Sequence, residues 1–164
     1  FHLVIDHPDE NGNGEVRLRG KGLFKGYYND PGETAQILQD GFLRTGDVGH
    51  TDEDGFLYIV GRKKNVIILS SGENVIPEEL EKLVSGIPAV SECMVCEMDE
   101  MIAAVIFPDS GAGTFEQTAR SIAEGITQIN QKLPSYKRIG RIVMSRKPLE
   151  KTSTGKIKRG QHIG

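Results

Sequence analysis

The segment PLEKTSTGKIKR, residues 148–159, sets Lys156 directly after a Thr-Ser-Thr-Gly turn. An ammonium on a four-carbon stem is a movable point charge. Such a group suits a phosphate ester or acyl phosphate whose charge grows in a transition state. The run invites comparison with a phosphate-cradling glycine loop, which needs G-x-x-x-x-G-K-[ST]. Glu150 stands at the first glycine position and Ile157 follows Lys156, so both defining positions fail. The segment is instead a glycine turn presenting one lysine, and taken alone a surface lysine in a tail is the commoner case. Two further groups bear on it. In LRTGD, Asp47 stands at a strand end after a glycine. A carboxylate there can accept from both hydroxyls of a ribose diol, although capping a turn is the plainer role. Arg62, after Gly61, can reach the same ribose or a phosphate, or form a surface ion pair.

The charge distribution fits an anionic ligand. The chain of 164 residues has a net charge of −3. From Lys132 to Arg159 it carries ten Lys or Arg and one acid, Glu150, whereas the rest has ten basic and twenty-two acidic residues. A basic tail on an acidic body attracts anions, or simply keeps a face solvated. A non-catalytic module that binds RNA or an acidic partner is the rival reading. Against it, Tyr136 is the one aromatic in the basic tail, and single-stranded nucleic acid is normally held on several stacking side chains. Nucleic acid is therefore not expected as a partner.

No site residues for a metal are expected. The loop HPDENGNG holds D-x-N-x-N-G, half of a calcium loop, but Gly20 takes the place of the final Glu and a strand follows. Cys93 and Cys96 lie three apart in an apparent strand, which points them to opposite faces and makes them core residues. Two cysteines fit a reducing cytosol. No apolar run approaches the ~20 residues that span a bilayer.

The elements that must position these groups are legible from periodicity and punctuation. Glycine is abundant, at 20 residues, which favours an α+β fold over a helical bundle. Strands are expected at 1–6 and 15–19, in GFLRTGDVG and GFLYIVGR around the TDEDG turn, and in KKNVIILS. PGETAQIL reads as a short helix with Pro31 at its start, and IPEELEKLVSGI as a helix opened by Pro77, with Leu80, Leu83 and Val84 inward. AVSECMVCEM and MIAAVIFPD read as strands. FEQTARSIAEGITQINQKL is the longest helix, with Phe115, Ala119, Ile122, Ile126 and Ile129 at helical spacing. IGRIVMS is the last strand. The pattern changes from hairpins to helices on a sheet near residues 61–64.

Five stretches now stand in order: GEVRLRGKGLFKGYYNDPGET, FLRTGD, GFLYIVGRKKNVIILSSGENVIPEELE, LPSYKRI and PLEKTSTGKIKR. Together they resemble the C-terminal motifs of the AMP-forming adenylating enzymes, over residues 12–160. That superfamily includes acyl-CoA synthetases, luciferases and the adenylation domains of peptide synthetases. The third stretch looks most like long-chain fatty acid–CoA ligases.

The resemblance implies an α+β architecture in two pieces. Residues 1–61 would be the β-rich end of the large AMP-binding domain, 62–65 a hinge, and 66–164 a small lid domain of a sheet flanked by helices. It implies activation of a fatty acid by Mg-ATP to an acyl-adenylate, followed by transfer to CoA or, alternatively, to a carrier-protein thiol. Asp47 and Arg62 would bind the nucleotide, Lys64 would be the hinge residue, and Lys156 would bridge substrate carboxylate and ATP phosphate. The loop of Ser71, Gly72 and Glu73 would help form the thioester site after the lid rotates. Many relatives carry a Lys in I-K-x-x-G; here the stretch is Ile67, Ile68, Leu69, with Gly72 one residue late. The main ATP, Mg2+ and acyl sites would lie upstream of Phe1, so the chain is expected to be a fragment inactive alone. The expected location is cytoplasmic, with any peripheral membrane association carried by residues outside this chain.

Overall fold

The computed structural model describes residues 1–159 and divides into two compact units, Phe1–Val66 and a second from Ile67 onward. The α+β architecture expected from the sequence is the one observed.

The first unit is an antiparallel sheet. Strand β1 (His2–Asp6) pairs with β2 (Gly14–Arg19). In the loop between them the Asp9 carboxylate accepts from Asn11 N at 2.8 Å and Asn13 N at 2.9 Å, so it closes its own turn. Helix α1 (Pro31–Ile37) starts where the Asp30 side chain accepts from Glu33 N at 2.8 Å, which satisfies an otherwise orphaned donor. It ends one residue short of the expected run, because Leu38 enters the two-residue strand β3 (Leu38–Gln39) beside β4 (Phe42–Thr51). Strand β5 (Leu57–Arg62) follows the TDEDG turn and pairs with β4, giving the order β1-β2-β4-β3 with β5 also on β4. Val16 and Val48 are buried here, whereas Phe1 is exposed.

The expected strand over 63–70 does not form as one piece. Lys63–Asn65 is a single 3-10 turn, closed by Val66 N donating to Lys63 O at 3.3 Å. Extended pairing resumes only in β6 (Ile67–Ile68), which opens the second unit and pairs with β7 (Asn74–Val75).

In the second unit helix α2 (Pro77–Val84) precedes the hairpin of β8 (Val90–Met98) and β9 (Met101–Pro108). Helix α3 (Phe115–Lys132) then leads to β10 (Ile139–Met144), which lies parallel to β9, in the order β10-β9-β8. Helix α3 begins with a capping box in which Thr114 and Gln117 satisfy each other's backbone N–H. The strands alternate between two apolar clusters, as a period of two requires. Cys93 and Val95 join Leu80, Val84, Ile122 and Ile126 in the cluster that packs α2 and α3 on the sheet. Met94 is buried in a second cluster with Val105 and Leu149, against which Cys96, Met98 and Ile157 pack. Leu83 and Phe115 are exposed despite their helical spacing. Leu83 stands at the rim of the apolar face of α2, and Phe115 in the first turn of α3, a turn before the buried Thr118.

Candidate active site

The Thr-Gly-Asp turn owes its shape to a bulge. Register between β2 and β4 runs from Arg17 opposite Arg44 to Glu15 opposite Val48, leaving Thr45, Gly46 and Asp47 against a single partner residue. Such an insertion breaks the ladder and re-aims side chains. Gly46 takes φ +70°, which a residue with a Cβ adopts at a cost. The Thr45 hydroxyl donates to Val16 O at 2.8 Å and accepts from Asp47 N at 3.0 Å, fixing both ends of the bulge.

Asp47 lies directly across from Arg62 on β5, and Arg62 Nε approaches Asp47 Oδ1 at 3.0 Å. Arg62 Nη1 also donates to Thr45 O at 3.3 Å. Thus the structure brings together two of the residues singled out from the sequence. Both side chains keep substantial solvent access, so the pair adds little to stability and can rearrange around a ligand. The arrangement offers an acceptor for hydroxyls beside a donor fork for a ribose or phosphate oxygen.

Lys64 is exposed at the centre of the 3-10 turn. Its neighbour Lys63 reaches back to Glu15, whose carboxylate also receives Arg44: Lys63 Nζ is 2.7 Å and Arg44 Nη2 2.9 Å from Glu15 Oε2. Burial pushes the Glu15 carboxyl up, but Arg44 and Lys63 outweigh it and hold it below its ordinary range.

In the second unit, Ser71, Gly72 and Glu73 form the tip joining β6 to β7. Gly72 N donates to Leu69 O at 2.8 Å, Leu69 N to Glu73 O at 3.0 Å, and Gly72 takes φ +96°. The nearby Ser71 hydroxyl, with Glu73's own backbone, holds the Glu73 carboxyl below its ordinary range.

Lys156 sits past the apex of a tight turn. Thr152 N donates to Lys156 O at 2.7 Å, Gly155 N to Thr152 O at 2.9 Å, and Lys156 N to the Thr152 hydroxyl at 3.2 Å. Gly155 takes φ +80° with open space around it, so backbone conformation rather than crowding calls for glycine. The Lys156 residue is exposed, and among the described residues its ammonium enters no ion pair.

Thr45, Thr152 and Glu15 shape these sites but were not singled out from the sequence. For the two threonines the cue was present, since a hydroxyl beside a Gly turn commonly bonds the backbone two or more residues on. For Glu15 no local cue exists, because its partners come from Arg44 and Lys63.

Residues 64–163 match the family model described as the AMP-binding enzyme C-terminal domain. A long-chain-fatty-acid–CoA ligase of Bacillus subtilis is 35% identical over 154 residues, covering 90% of this chain and 26% of that protein. An indoleacetate–CoA ligase of Aromatoleum aromaticum is 34% identical over 151 residues, covering 89% of this chain and 28% of that protein. The solved structure of O-succinylbenzoate coenzyme A synthetase from Bacillus subtilis, in complex with ATP and magnesium ion, superposes with a TM-score of 0.76. It shares 27% identity and covers 98% of this chain and 33% of that one. The chain thus spans about a quarter of the length of these curated relatives.

Proposed function

The chain belongs to the AMP-binding enzymes through their C-terminal domain, and from that premise we propose that it supplies the lid and part of the nucleotide site of an ATP-dependent, AMP-forming acid–thiol ligase. The observation that carries this reading is Lys156, an exposed ammonium in no ion pair among the described residues, held on a turn closed by backbone bonds between Thr152, Gly155 and Lys156.

In the first half-reaction a substrate carboxylate attacks the α-phosphorus of ATP, the bond to pyrophosphate breaks, and an acyl-adenylate forms. Lys156 stabilises the charge that builds on the carboxylate and α-phosphate oxygens. Asp47 accepts from the ribose hydroxyls, and Arg62 leaves its ion pair in part to donate to the same sugar. Lys64 serves as the pivot between residues 1–61 and 66–164. In the second half-reaction a thiolate attacks the acyl carbon and AMP leaves. Lys156 has by then withdrawn, and the turn of Ser71, Gly72 and Glu73 borders the entering thiol. Mg2+ would be held through the ATP phosphates and by residues of the full enzyme's large domain.

The substrate is proposed to be a fatty acid and the acceptor CoA. Support comes from the third sequence stretch and from the names of similar ligases, although those names include indoleacetate as well as long-chain fatty acids. The chain would act in the cytoplasm. None of its described helices is long and apolar enough to cross a membrane.

The test joins this chain to the N-terminal part of a related ligase and measures carboxylate-dependent exchange of pyrophosphate into ATP across a panel of acids. Exchange strongest with fatty acids, then thioester formation with CoA, is expected. Exchange with no carboxylate refutes the ligase reading; transfer only to a carrier-protein thiol refutes the acceptor.

A further inference from the structure

Among the described residues the turn that carries Lys156 joins none of the three sheets. A turn outside any sheet is ordinarily loose unless something ties it down. Here it is tied at both feet. At the entering foot Leu149 is buried beside Met94 and Val105, and its N–H donates to Glu92 Oε2 at 2.7 Å. The second oxygen of the same carboxylate, Glu92 Oε1, receives Lys151 Nζ at 2.5 Å. At the leaving foot Ile157 packs on the same apolar cluster. Arg159 then places Nη2 2.8 Å from Glu81 Oε2 and 3.2 Å from Glu78 Oε1, and Nη1 donates to Val95 O at 3.1 Å. Between the feet, Lys151 and Ile157 form an isolated bridge, and Lys158 N donates to Glu150 O at 2.8 Å.

Glu92 is unusual for its place. It lies on β8, an edge strand, where a charged side chain normally faces water, yet its side chain is only 14% exposed. The period of two along β8 puts Glu92 on the same face as Met94 and Cys96, the face on which Leu149 and Ile157 pack. One carboxylate therefore orders both a backbone N–H and a side chain of the segment that leads to Lys156.

We propose that Glu92 and Arg159 clamp the two feet of the Lys156 turn, so that Glu92 is a positioning residue for the adenylation half-reaction. This rests on the role proposed above for Lys156. A lysine that must arrive at a reacting phosphate after a domain movement gains by travelling on a preformed turn, because little order then has to be created at the moment of reaction. Glu92 and Arg159 touch no reacting atom; they act through the turn.

The test has two independent readouts. Hydrogen exchange of the Thr152 and Lys156 amides reports the clamp itself. In Glu92→Ala both should exchange about ten-fold faster or more, while amides in the middle of α3 are unchanged. In the joined enzyme, Glu92→Ala should lower kcat for adenylation by about ten- to a hundred-fold. The KM for ATP and thioester formation from supplied acyl-adenylate should not change. Glu92→Gln, which still accepts from Leu149 N, should recover part of both effects, and Arg159→Met should repeat the pattern of Glu92→Ala. Unchanged exchange overturns the clamp whatever the activity does. Faster exchange with adenylation intact, where Lys156→Ala abolishes it, overturns the positioning role. Adenylation spared in Lys156→Ala refutes the catalytic reading of Lys156, and the clamp is then decided by exchange alone.

Discussion

Replacement of Lys156 by alanine separates a catalytic lysine from a structural one, because the structure predicts very different sizes for the two effects. The bonds that shape the turn are made by backbone atoms of Lys156 and by the Thr152 hydroxyl, and alanine keeps them all. The side chain is exposed and enters no ion pair among the described residues. An exposed substitution of this kind stays within about 0.5 kcal/mol of the parent, which in a protein of this size moves Tm by roughly 1–2 °C. Loss of one donor that stabilises a developing oxyanion costs about 10²–10³ in kcat. The assay measures the two half-reactions separately in the joined enzyme: pyrophosphate exchange for adenylation, and CoA thioester formation from supplied acyl-adenylate. Exchange should collapse by that factor while thioester formation and Tm hold. Lys156→Arg should recover only part of the rate, since a planar guanidinium places its charge differently from an ammonium. Equal loss in both half-reactions, or a drop in Tm large enough to account for the loss, refutes the assigned role.

Two other predictions follow from buried groups. Glu15→Gln removes a charge that Arg44 and Lys63 share, and should cost about 2 kcal/mol at neutral pH in urea denaturation. The folded-state pKa of Glu15 lies below its ordinary value of 4.5, so its contribution is complete above that value and disappears as pH falls through the folded one. The gap between parent and variant should therefore close on acidification; a constant gap down to pH 2 argues against the ion pair as its source. For Cys93, burial pushes the thiol up to about 12, with Glu81 adding to the shift. Iodoacetamide at pH 8 should leave Cys93 unlabelled in the native chain and label it once urea is added, because the thiolate is the reactive form. Rapid native labelling, read by mass spectrometry, contradicts the packing described.

Much of the framework was legible because its causes are local. Pro77 and the acids after it mark the start of α2, the TDEDG turn joins β4 to β5, and the spacing of Cys93 and Cys96 sends them to opposite faces of β8. Local signals failed where a partner from elsewhere won. The run at 63–70 has strand composition, but its first three residues close a 3-10 turn, and Lys63 is held by Glu15, 48 positions away. Leu83 and Phe115 have the right period but stay about half exposed.

The candidate site divides along the same line. Chemical identity was present in the sequence: a lysine after a Gly turn, an aspartate after Thr-Gly, and an arginine at the end of a strand. Those types depend on adjacent residues, because turns close through hydrogen bonds a few positions apart. Tertiary structure alone decided that Asp47 faces Arg62 across two strands, that Glu92 grips Leu149 from 57 positions away, and that Arg159 reaches Glu81 from 78. Charges carry no address in a sequence. Which pairs meet depends on how the apolar faces of the sheet and helices bring distant segments together, and only the folded chain settles that.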